Sequence, residues 1–172
     1  KDHELDKDTR EAFAAHVRDH QARITNMKAT LGHSPVAFSV YMQWYPLYEE
    51  LGKVIGKRMA YLYAWSVSNA TSCALCTTYF RKIMIEAGED LTKPVLSESQ
   101  EKLLAFGRCV TKHQGHIADH LFNSIAANYT KKELVTIIAF TGQMIATNIF
   151  NNVAETEIDE YLTAFLHEPK YS

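Results

Sequence analysis

Three cysteines in 172 residues are too few for a disulfide framework. That excludes the stapled secreted scaffolds and makes a reducing, cytoplasmic compartment the default. Charge of one sign is missing too: a formal net charge of −2 leaves no electrostatic footprint for nucleic acid, and that class of partner is set aside. Long hydrophobic runs are absent. The most apolar stretch, 134–150, is interrupted by Thr136, Thr141, Gly142, Gln143, Thr147 and Asn148, too polar for an uninterrupted span of lipid. It reads as a buried core helix, and no membrane partner is expected. No segment alternates apolar and polar residues as a strand does, so the class is all-α. The chain starts at Lys1 with no methionine and no signal-like segment before its first helix. Both a trimmed and a processed start fit, and a removed signal peptide would change the compartment.

What is present suits one domain over residues 1–172, with 47% hydrophobic and 22% charged residues. About seven or eight helices are expected. Residues 1–8 are charged and read as frayed, and Asp8 or Thr9 caps a first helix carrying Phe13, Val17 and Ile24 toward Met27. His16 and His20 lie four apart on it; beside Arg10, Arg18, Asp19 and Arg23 they read as a solvated face. After Gly32, Ser34-Pro35 is a cap followed by proline at the first helical position. Phe38, Tyr41, Tyr45 and Tyr48 then recur at helical spacing beside Trp44, Leu47 and Leu51, a core or subunit contact with a pocket lining as the alternative. Pro46 should kink or restart the helix after Tyr45.

A helix from Lys57 to Val67 delivers the chain to Thr71-Ser72-Cys73-Ala74-Leu75-Cys76, where two thiols stand three residues apart. With Thr71 or Ser72 as N-cap and Gly88 as the stop, Cys73 falls in a first turn and Cys76 one turn on, on the same face. The positive end of the helix dipole favours thiolate over thiol there, and a disulfide closes such a pair without large backbone movement. Half of a zinc site is the competing reading of C-x-x-C, and two inert buried thiols a third. No second C-x-x-C or C-x-x-H follows at finger-like spacing. No metal or cofactor is therefore expected.

Ser97 with Gln100 forms a capping box for a helix presenting Leu103, Phe106 or Gly107, and Val110 to the core, with Cys109 a packed thiol beside that face. His113, His116 and His120 are spaced by three and four, so they can share one side of a helix, as a polar or pocket-rim group or, less simply, as metal ligands. Thr130 with Glu133 is a second capping box, opening a helix from Lys131 to about Asn151 that should run through the centre of the domain. Asn148, Asn151 and Asn152 near its end need hydrogen-bond partners if buried. A last helix from about Glu155 to Leu166 completes the chain.

Together, Ser34-Pro35, the helix from Arg58 to Ser68, the stretch from Asn69 to Cys76 and the block from Thr130 to Asn151 resemble the carboxymuconolactone decarboxylase and alkylhydroperoxidase D-like family. The resemblance covers residues 34–172 and leaves 1–33 as an N-terminal helical extension. It implies a helical peroxide-reducing protein, assembled as a trimer or hexamer, in which Cys76 attacks peroxide, Cys73 resolves it as a disulfide, and an unknown thiol reductant restores the pair. The chain departs from the family's proton relay. Tyr61 stands where those enzymes carry a glutamate, Phe80 where they carry a histidine, and Leu75 where some carry another histidine. Tyr61, Tyr79, His116 or His120 are the candidate replacements. A lyase or a small-molecule binding protein without redox activity is the alternative, and a non-catalytic oligomeric scaffold the third.

Overall fold

Nine α-helices and one 3₁₀-helix, with no strand, form the described residues, 7–166, of the computed structural model. The helices are α1 (Lys7–His20), α2 (Asn26–Leu31), α3 (Pro35–Met42), α4 (Trp44–Ile55), α5 (Lys57–Ala70), α6 (Ala74–Glu86), α7 (Glu98–Lys112), α8 (Asp119–Ala126) and α9 (Lys131–Val153), followed by the 3₁₀-helix Glu160–Phe165. The expected count of seven or eight falls short because the N-terminal region breaks twice. Gln21 takes a positive φ of 49° and Thr25 caps a separate α2, while Gln43 divides α3 from α4. Residues 1–6 of the segment read as frayed lie outside the described residues. Neither Asp8 nor Thr9 is a cap, since α1 already starts at Lys7; the Thr9 hydroxyl instead donates to the Gly32 carbonyl at 2.6 Å.

Local signals place several other boundaries. Ser34 caps α3, Pro46 sits in the first turn of α4 where its missing N–H costs nothing, and Gly88 ends α6 at a φ of 80°. Both capping boxes form, at Ser97/Gln100 and at Thr130/Glu133.

The centre of the domain is α5. It packs against α4, α6, α7 and α9, and Met59, Ala60, Leu62, Tyr63, Ala64 and Val67 along it are buried. The expectation that α9 runs through the centre is corrected. Its inner face (Ile137, Phe140, Thr141, Met144) packs on α4 and α5, whereas Val135, Ile138, Ile149 and Val153 are exposed. By length and composition alone α9 qualifies to cross a membrane, more apolar than its interruptions indicated. A close approach joins α5 to α7. A Cβ on Gly107 would lie 2.8 Å from the Tyr63 ring, whose hydroxyl is 2.7 Å from the Thr141 hydroxyl on α9. The region expected to be the last α-helix is extended after Glu155, which takes a positive φ of 47°, and only Glu160–Phe165 coils, as a 3₁₀-helix.

Candidate active site

The turn between α5 and α6 places the sulfurs, and it is not the turn the sequence indicated. Thr71 closes α5, its hydroxyl donating back to the Ser68 and Val67 carbonyls, and Ser72 takes the left-handed conformation at a φ of 55°. The N-cap of α6 is therefore Cys73 itself, extended at φ −84° and ψ 101°. Two asparagines of α9 hold this turn. Asn152 donates to the Thr71 carbonyl at 3.1 Å, and buried Asn148 accepts from the Ser68 hydroxyl at 3.4 Å.

Both sulfurs are free thiols and both are buried, Cys73 at 1% exposure and Cys76 at 7%. The interaction between the two thiols sets them apart. Cys73 is drawn down to about 7, first by the hydrogen bond from the Cys76 thiol, with the backbone N–H groups of Cys76 and Leu75 assisting against burial. Cys73 makes no side-chain cap bond to those amides, which act on its sulfur as the positive end of the helix. Cys76 is pushed well above the usual thiol range by donating that bond, by burial and by the charge on Cys73.

Cys76, and not Cys73, lines a cavity of about 90 Å³. Its walls come from six elements: Lys28 of α2, Tyr41 of α3, Trp44 and Tyr45 of α4, Tyr79 and Phe80 of α6, Met144 and Asn151 of α9, and Asp159 and Tyr161 at the 3₁₀-helix. The aromatic run of α3 and α4 thus divides. Tyr41, Trp44 and Tyr45 line the cavity, while Phe38 and Leu51 are core. Asn151 is the polar group at the reacting end. It is 3% exposed and its amide donates to the Cys76 sulfur at 3.2 Å and to the Met27 sulfur at 3.3 Å, while its Oδ1 has no partner.

The candidate relay residues separate. Tyr79 lines the cavity, and burial raises it far above the ordinary phenol range. Tyr61 lies a layer back, its ring 4.9 Å from Tyr48 and 6.3 Å from Phe80, and it does not line the cavity. His116 and His120 are exposed and also absent from the lining. The three histidines do not share a helix: α7 stops at Lys112, Gly115 turns the chain at a φ of 87°, and only His120 is helical, in α8. Among the described residues no group of three His, Cys, Asp or Glu side chains is placed to hold a metal. Cys109, on α7, is half-buried.

Of the His16/His20 pair read as a solvated face, His20 is exposed and His16 is not. His16 is 4% exposed, its ring 5.5 Å from Phe38 and 5.2 Å from Tyr45, and His20 stacks on Tyr45 at 4.4 Å. The fold of α1 onto α3 puts them there. In exchange Val17, expected to point inward, is 45% exposed. Two groups at the cavity escaped the sequence reading, Lys28 and Asp159. Asp159 joins the site across more than a hundred residues, accepting from the Asn26 amide at 2.9 Å, and Lys28 is held there by the Arg23 carbonyl and the Tyr45 hydroxyl.

No family model matches this chain, and no curated protein does.

Proposed function

We propose that the chain is a thiol-disulfide oxidoreductase that reduces peroxides through Cys73 and Cys76. The observation that carries this reading is a pair of buried free thiols at a helix start with one member, Cys76, held by the Asn151 amide and facing an aromatic cavity. The resemblance to the alkylhydroperoxidase D-like family supports it from the sequence side.

A hydroperoxide in the cavity meets Cys76. The proton of that thiol passes to the Cys73 thiolate as the S–O bond forms, an uphill transfer since Cys73 is the stronger acid, and the partner sulfur takes the place of the base that Tyr61 and Phe80 do not supply. As the proton moves to Cys73, the Asn151 amide steadies the charge forming on Cys76, and its unpartnered Oδ1 accepts the O–H of the peroxide. Cys76 attacks the terminal oxygen, the O–O bond breaks, Cys76 becomes a sulfenic acid, and the departing alkoxide takes the proton held by Cys73. The Cys73 thiolate then displaces hydroxide, which takes a proton from solvent, and the disulfide forms. Two thiols lose two electrons and the peroxide gains them; a dithiol reductant returns the pair to its starting state.

Rapid mixing with hydrogen peroxide followed by peptide mapping tests the reading. A Cys73–Cys76 disulfide is expected in the wild type and not in Cys76→Ser. If both thiols titrate at the ordinary value of about 8.5 and ignore peroxide, the reading is wrong. The aromatic cavity would then favour a non-redox binding protein or lyase, for which ligand-dependent melting is the measure.

The proposal includes a homo-oligomer of three or six copies, as the resemblance implies. Supporting it is a stripe down the outer side of α9, where Val135, Ile138, Gly142, Ala146, Ile149 and Val153 are exposed without an interposed charge.

A further inference from the structure

We propose that Lys28 is a second reactive group of the cavity, an amine that condenses with the carbonyl carbon of a compact apolar aldehyde or ketone to form an imine. The cavity is the one assigned above to peroxide reduction, but nothing in the inference depends on the sulfurs. Lys28 is 6% exposed and forms part of the cavity wall. Its Nζ donates to the Arg23 carbonyl and to the Tyr45 hydroxyl, each at 2.9 Å, and it forms no ion pair among the described residues. A buried lysine held by two neutral acceptors loses much of the solvation that keeps an ammonium charged. Burial, above all, draws Lys28 down to about 8, with Asp159 opposing and Arg23 assisting. The other titratable groups facing it are His16, Tyr45 and Tyr161.

A neutral amine in an apolar chamber is a nucleophile for carbonyl carbon. Its lone pair adds to the C=O to give a carbinolamine, and loss of the hydroxyl as water leaves the C=N bond. No electrons change hands. The Tyr45 hydroxyl, in contact with Nζ and pushed up to about 12 chiefly by burial, keeps its proton near neutrality and is placed to give it to the departing hydroxyl. Proton return from the nitrogen restores it. The walls favour an apolar substituent, through Trp44, Tyr79, Phe80 and Tyr161. A cavity of about 90 Å³ is smaller than the roughly 150 Å³ chamber that takes benzene, so the fit is to short chains.

The test uses the full chain, butanal as the probe and cyanoborohydride to reduce any imine to a stable butyl-amine, read by peptide mass spectrometry. Lys28 is expected to carry the butyl group at least tenfold faster than exposed Lys57 or Lys112, with a rate that rises through pH 8. The label should vanish in Lys28→Arg. Filling the cavity with Met144→Trp should slow labelling of an intact Lys28 at least fivefold without slowing Lys57. Lys28 labelling and Cys73–Cys76 disulfide formation are read separately by peptide mapping of the wild-type chain, so failure of the peroxide reading and failure of this one are separate results. Labelling of Lys28 no faster than that of the surface lysines, or unmoved by the filled cavity, would overturn the proposal.

Discussion

A sulfur becomes a nucleophile only where something nearby rewards its negative charge, and the two thiols differ in that respect by position alone. Cys73 stands at the N-cap of α6 beside its partner's thiol; Cys76 receives the Asn151 amide and the view into the cavity. Asn151→Leu removes a donor to the sulfur at nearly the same size. Because a hydrogen bond to a charged group contributes about 1.5–3 kcal/mol, iodoacetamide should alkylate the pair at pH 7 about tenfold more slowly in that variant. An unchanged alkylation rate would show that Asn151 does not act on the sulfurs. The pair itself was legible in the sequence because C-x-x-C is a local spacing. Its surroundings were not: Asn151 lies 75 residues from Cys76, and nothing local marks which of three late asparagines reaches the sulfur. Lys28 was invisible for the same reason, since a lysine between Met27 and Ala29 reads as surface until Tyr45 and Asp159 close over it.

Helix starts were the best-read features at the next scale, because a cap is decided by four consecutive residues. Ser97→Ala removes one half of a capping box and should lower the unfolding free energy by about 1 kcal/mol in urea titration. The cap of α6 was misplaced by one or two residues, since Thr71 and Ser72 satisfy the cap pattern but are already engaged in closing α5. Packing between elements is where sequence pattern fades. Gly107 was named as a core-facing position, yet only the structure shows the Tyr63 ring filling the space above it; Gly107→Ala should cost about 1–3 kcal/mol by displacing that ring, and a neutral result would mean the ring moves freely. The docking of α1 carries a pH signature. Burial, then the Lys28 charge, holds His16 near 4, below the 6.5 it has when exposed. The unfolded chain therefore binds a proton that the folded chain refuses. Stability is full above about pH 6.5 and declines as pH falls toward 4. The denaturation midpoint of the wild type should drop across that window more steeply than that of His16→Gln; parallel curves would contradict it.

For the molecule as a whole, composition and period settled the helical class, while arrangement depended on which faces meet. Helix α9 was expected at the centre because its sequence is apolar nearly all round; α5 holds that place, and the outer stripe of α9 is left open. If a second copy covers that stripe, Ile149→Glu should move the sedimentation profile to a concentration-independent monomer. A wild type that already sediments as a monomer would remove the assembly from the proposal.

The chain carries two tryptophans, and Trp44 stands in the cavity wall, its indole N–H on the Met144 sulfur at 3.1 Å and its ring stacked on Tyr48 at 4.8 Å. The molecule is thus built with its own optical probe. Its emission should shift when the chamber fills, and during refolding it should recover only after the two ends of the chain have found each other.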